Sequence, residues 1–73
     1  MKVFDGQKIN DLMAKSNWTR NKLVLEFENA GDPISLATLA NWINGTTTPS
    51  GKRIATLCNL FNCSPSKFIT EVK

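Results

Sequence analysis

Asn41 and Asn44 stand three residues apart in the stretch PISLATLANWINGTTTP, residues 33–49. Each carries a primary amide that can pair bidentately with the edge of adenine, and the small side chain of Ala37 can meet a thymine methyl. Thr38 joins them on the face opposite Leu39, Trp42 and Ile43. Two pairs of cations flank the stretch, Arg20 with Lys22 and Lys52 with Arg53, and the hydroxyls of Ser35, Thr46 and Thr47 lie between them. Cations, hydroxyls and helix N-termini are the groups that hold phosphate. Arg20 and Lys22 fall in the first turn of one helix, Lys52 and Arg53 in the first turn of another, where a cation opposes the helix dipole and an anionic ligand would relieve it. Yet no residue from Pro33 to Gly51 is charged, so the stretch that could read bases has no Arg or Lys of its own.

Other chemistry is poorly supplied. The chain has two Cys and no His, short of the four ligands of a zinc site. Cys58 lies on an apolar helix face and Cys63 just before a helix start, so both read as packing residues, and neither a metal nor a cofactor is expected. No His is available as a base, no glycine-rich phosphate loop follows a strand, and the acids are scattered, which argues against an enzyme and a small-molecule substrate. Trp18 and Trp42 read as packing residues and not as platforms for stacked bases. Nine Lys and Arg against six Asp and Glu give a net charge of +3, a mild preference for an anionic partner. No apolar run approaches the ~18 residues of a membrane span, and MKVFDGQK lacks the apolar core of a signal peptide. Two Cys at this length do not make a disulfide scaffold. The expected location is the reducing cytoplasm of a bacterial host cell.

The elements that must position these groups announce themselves by their starts. Asp5 can cap a first helix, carried on by Ile9, Leu12 and Met13. Thr19 caps a second, with Trp18 and Leu23 forming a hydrophobic staple and Leu23, Val24 and Phe27 facing inward. Gly31 and Pro33 end it. Ser35 caps a third, with Ile34 and Leu39 as the staple and Gly45 at its C-terminal end. Ser50 caps a fourth, on which Ile54, Leu57, Cys58 and Phe61 recur at helical spacing. Ser64 followed by Pro65 starts a fifth, stapled by Cys63 and Phe68 and continued by Ile69 and Val72. The expected helices run near 6–15, 20–29, 36–44, 51–61 and 65–71. Trp18, Leu23, Phe27, Leu39, Ile43, Ile54, Leu57 and Phe61 should share one core, with Trp42 at its margin. The fold class is all-α, a compact five-helix bundle in a single domain over residues 1–73.

The second and third helices, each capped and stapled and joined by a glycine-containing turn, have the outline of a helix-turn-helix unit over about residues 19–45. In order, Thr19, Leu23-Val24, Ile34-Ser35, Leu39-Ala40, Asn44-Gly45 and Pro49 resemble the pattern of the lambda-repressor-like, Cro-type helix-turn-helix family, and RIATLCNLFNCSPSKFI stands where that family has its fourth and fifth helices. The resemblance covers about residues 6 to 70. The link from Leu23 to Ile34 is longer than the family's usual one, Arg20 stands where it often has Gln, and Leu36 and Ala37 stand where it has polar residues.

The resemblance implies a small regulator of a phage lysis-lysogeny switch that binds operator DNA, its third helix in the major groove with N-terminal residues at base edges. Arg20, Lys22, Ser35, Ala37, Thr38, Asn41, Asn44, Thr46, Thr47, Lys52 and Arg53 would form the contact surface. No separate oligomerisation domain is apparent, so a homodimer would use the fifth helix or the tail FITEVK. The uncharged third helix supports a second reading, an antirepressor that covers the DNA-binding face of a partner phage repressor. Its contact residues would be Leu25, Leu36 and Ala37, with Glu26, Glu28 and Asp32 orienting a basic partner.

Overall fold

The computed structural model describes residues 1–72. The elements are β1 (Lys2–Phe4), α1 (Gln7–Ser16), α2 (Arg20–Asn29), α3 (Leu36–Asn44), α4 (Gly51–Phe61), a 3-10 turn (Pro65–Phe68) and β2 (Ile69–Glu71). The Thr19, Ser35 and Ser50 hydroxyls each accept a backbone N–H at the start of a helix, from Lys22 at 3.1 Å, Thr38 at 3.1 Å and Arg53 at 3.4 Å. At α1 the cap position falls on Gly6 and not on the expected Asp5, whose Oδ1 instead accepts the Gln7 N–H at 3.0 Å from one residue before the cap.

All four helices end in the same way. Asn17, Gly31, Gly45 and Asn62 adopt left-handed backbone with φ of 58°, 81°, 82° and 53°. The following residue then donates its N–H five residues back, Trp18 to Met13 (2.8 Å), Asp32 to Phe27 (3.0 Å), Thr46 to Asn41 (2.9 Å) and Cys63 to Cys58 (3.0 Å). These Schellman closures satisfy carbonyls that a helix end otherwise leaves open and turn the chain within two or three residues. Tight reversals of this kind let four short helices share one core.

That core holds Ile9, Met13, Leu23, Phe27, Leu39, Trp42, Ile43, Leu57, Cys58 and Phe68. Trp42, expected at the margin, is 2 % exposed and tilts against Phe27 at 5.8 Å between ring centroids. Trp18, Ile54 and Phe61, expected inside, are half-buried and pack against the cluster from its edge, with Trp18 on Phe61 at 5.1 Å. The start of α1 presses on the end of α3: a Cβ on Gly6 would sit 1.9 Å from the Trp42 carbonyl oxygen. Beside it, Gln7 Nε2 donates to the Ile43 carbonyl at 3.1 Å.

The C-terminal segment departs from expectation. The fifth helix expected over 65–71 is a single 3-10 turn, after which β2 pairs antiparallel with β1, Lys2 opposite Glu71, Val3 opposite Thr70 and Phe4 opposite Ile69. Among the described residues the fold is therefore four α-helices plus a two-stranded ribbon: the helical class expected stands, and the expected five helices are corrected to four. Ile69, Thr70 and Val72 are β-branched and favour extended backbone, and the partner strand comes from the other end of the chain. Phe68 is fully buried as the staple requires and stacks on Phe4 at 6.0 Å, whereas Val72 is 42 % exposed. The expected route to a homodimer through a fifth helix falls with that helix.

Candidate nucleic-acid interface

The polar face of α3 is built by its own periodicity. With Leu39, Trp42 and Ile43 buried, the exposed residues are Leu36, Ala37, Asn41 and Asn44, while Thr38 and Ala40 are half-buried. Ala37, Asn41 and Asn44 follow i, i+4, i+7 and so form one line along the helix. Thr38 is less available than its neighbours, because its Oγ1 lies 3.0 Å from the capping Ser35 Oγ.

Three helices, α2, α3 and α4, offer N-termini as further groups for phosphate. Among the described residues no helix has an acid in its first turn, so no side chain there offsets the positive end of its dipole. Each capping hydroxyl satisfies one N–H, which leaves those of Arg20 and Asn21, Leu36 and Ala37, and Gly51 and Lys52 without a protein partner among the described residues. Thr46 and Thr47 are exposed in the turn after α3. Their N–H groups are both spent on the Asn41 carbonyl, at 2.9 and 3.3 Å, so only their hydroxyls can reach an anion.

The four cations divide into two kinds. Lys22 pairs with Glu26 at 3.4 Å and lies 5.6 Å over the Trp18 ring. Arg53 pairs with Asp32 at 3.5 Å and lies 5.8 Å over Trp42. Arg20 and Lys52 are exposed and form no ion pair among the described residues. The acids Glu26 and Asp32 are thus already engaged, and of the three acids flanking the third helix only Glu28 stands exposed and unpaired. Leu25 and Leu36 are 48 % and 47 % exposed.

Residues 8–72 match the family described as the Cro/C1-type HTH DNA-binding domain. The chain belongs to that family. No curated protein and no solved structure matches it. Within this Cro/C1-type domain, the turn between α2 and α3 holds the Asp32 that Arg53 grips from α4.

Sequence reading missed two neighbours of the site. Asn21, exposed beside Arg20 on α2, carries a first-turn N–H without a partner among the described residues, and position alone could have revealed it. Thr48 extends the exposed hydroxyl run of Thr46 and Thr47, a run visible in the sequence as TTT. Among the described residues no group of three or more His, Cys, Asp or Glu is arranged to hold a metal ion, and no helix is long and apolar enough to cross a membrane.

Proposed function

We propose that this Cro/C1-type protein is a small transcription regulator of a phage lysis-lysogeny switch that binds operator DNA directly, α3 lying in the major groove. The observation that carries the reading is the line of Ala37, Asn41 and Asn44 on the exposed face of α3, in a domain whose α2, α3 and α4 have no acid in their first turns. Asn41 is the base reader, Ala37 and Asn44 flank it, and Thr38 supports it from the groove edge. Arg20 and Lys52, with the hydroxyls of Ser35, Thr46 and Thr47, hold phosphates. Lys22 and Arg53 contribute less, since each is partly neutralised by its own acid. The test is an operator-selection and salt-titration series. Arg20→Ala should weaken all sequences alike and flatten the slope of log K against log salt by roughly 0.9, one phosphate's share. Asn41→Ala should relax preference at one base pair by ~1–3 kcal/mol. A salt slope untouched by Arg20→Ala would remove the phosphate assignment.

The exposure of Leu25 and Leu36 favours a second reading, an antirepressor that binds a partner repressor through Leu25, Leu36 and Ala37. With Glu26 and Asp32 held in internal pairs, Glu28 is the acid left to orient such a partner. In an anisotropy titration of labelled operator and repressor, an antirepressor would release the repressor, and Leu36→Asp would abolish that release without unfolding the protein. Undiminished repressor binding, with tight sequence-specific binding by this protein alone, would leave the operator-binding reading standing.

A further inference from the structure

The ribbon has an unused edge beside a basic groove. The bonds from Asp5 N–H to the Phe68 carbonyl and from Val72 N–H to the Met1 carbonyl fix which opposed residues exchange hydrogen bonds. By the alternation of an antiparallel ladder, Val3 and Thr70 are such a pair, while Lys2–Glu71 and Phe4–Ile69 turn their backbone groups outward. The Ile69 N–H returns to the Ser66 carbonyl. The Ile69 carbonyl and both backbone groups of Glu71 therefore point off the free side of β2, a template for one more strand.

On that side lies a groove of about 520 Å³ between α1 and β2, to which β1 contributes no lining residue. Leu12 and Ile69 supply its apolar part, and Lys8, Lys15, Lys67 and Asp11 its charged groups. The three lysines form no ion pair among the described residues. Glu71, which also lines the groove, has its carboxylate 3.1 Å from the Met1 amino group, so Asp11 alone opposes them.

We propose that this groove accepts an extended acidic segment of a partner protein, added as a third strand on β2. Main-chain bonds to Ile69 and Glu71 would hold the segment, alternate apolar side chains would meet Leu12 and Ile69, and the carboxylates between them would meet the lysines. Charge selects this occupant over a second copy of the chain, which would bring its own lysines to the same place. The groove shares no residue with the α3 surface or with the phosphate-holding groups, so the segment can bind while α3 is engaged, and the proposal does not depend on what α3 contacts.

The probe is a short acetylated and amidated peptide of alternating glutamate and valine, titrated into the ¹⁵N-labelled protein and followed by amide chemical shifts. Two control peptides accompany it, one with lysine in place of glutamate and one N-methylated at alternate residues. Saturable shifts of the Glu71 amide and its neighbours are expected with the acidic peptide alone. Lys15→Glu with Lys67→Glu, both at exposed positions, should weaken binding by about tenfold or more. Equal binding of the lysine peptide, equal binding of the N-methylated peptide, or shifts that follow protein concentration without peptide would each overturn the proposal.

Discussion

Replacing Arg53 with Ala removes a clasp across three elements. From α4, Arg53 reaches Asp32 just beyond α2 at 3.5 Å, and its guanidinium lies 5.8 Å from the centre of the Trp42 ring on α3. An exposed ion pair contributes only about 0.2–1 kcal/mol. This one is better covered: the Asp32 side chain is 14 % exposed, and its Oδ2 is buried with no hydrogen-bond partner. Without the cation that carboxylate is left largely buried and unpaired, which costs roughly 1–3 kcal/mol, and the lost cation–π contact adds about 0.5–1 kcal/mol. Arg53→Ala should therefore destabilise the domain by about 1.5–4 kcal/mol, the lower end applying if water reaches the freed carboxylate. The assay is urea unfolding of the parent protein, Arg53→Ala, Asp32→Ala and the double variant. The double variant should be no less stable than Arg53→Ala alone, giving a coupling of about 1 kcal/mol or more. Strict additivity of the two single changes would refute the clasp. Arg53 would then be a free surface cation, and its replacement should lower the salt slope of DNA binding as much as replacing Arg20.

Leu57 is fully buried, so Leu57→Ala should cost ~2–5 kcal/mol in urea unfolding, and a change below 1 kcal/mol, well under that range, would displace it from the core. Gly6→Ala forces a methyl to within 1.9 Å of the Trp42 carbonyl oxygen unless α1 and α3 part. A loss of about 1–3 kcal/mol is expected, with amide shifts at the end of α3, and an unperturbed spectrum would contradict the close approach. Burial pushes the Cys58 thiol up, and the neighbouring Cys63 adds to the rise by charge repulsion and a hydrogen bond. The unfolded thiol ionises near its ordinary value of about 8.5, while the folded one keeps its proton to higher pH. This contribution to stability is complete below that value and is lost as pH rises toward the folded pKa. Cys58→Ala should flatten the alkaline limb of stability against pH, and an unchanged limb would show that Cys58 does not govern it.

Helices α2, α3 and α4 were legible to the residue because their signals are local. A hydroxyl or acid at the cap, an apolar residue before it and a Gly or Asn after the last turn all act within a few positions of the helix they bound. The line of Ala37, Asn41 and Asn44 followed from the same periodicity once Leu39 and Ile43 set the inward direction. What the sequence concealed is non-local. Ile69 and Val72 fit a helical spacing as well as a strand, and only pairing with Lys2–Phe4 at the far end of the chain decides between them. Trp42 reads as marginal on its own helix but is buried because Phe27 closes over one side and Arg53 over another. The division of the cations was equally hidden, since the Arg53–Asp32 pair joins residues that no window contains together. The pairing of Lys22 with Glu26, at i and i+4 on one helix, was within reach of the spacing alone.

The placement of Phe68 ties the order of synthesis to the completion of the interior. All four helices leave the ribosome before this side chain does, so a nascent chain that ends at Cys63 has every helix and an interior with a gap. Phe68 fills that gap, and the strand that follows it pairs with β1, which was made before any of these helices. Folding of this domain is thus expected to end as the closing of a ring, the local helices forming before the long loop between β1 and β2 closes. A protease that cut between α4 and Phe68 would spare every helix and the α3 surface, yet it would leave the side chain at their centre held only by packing and by strand pairing.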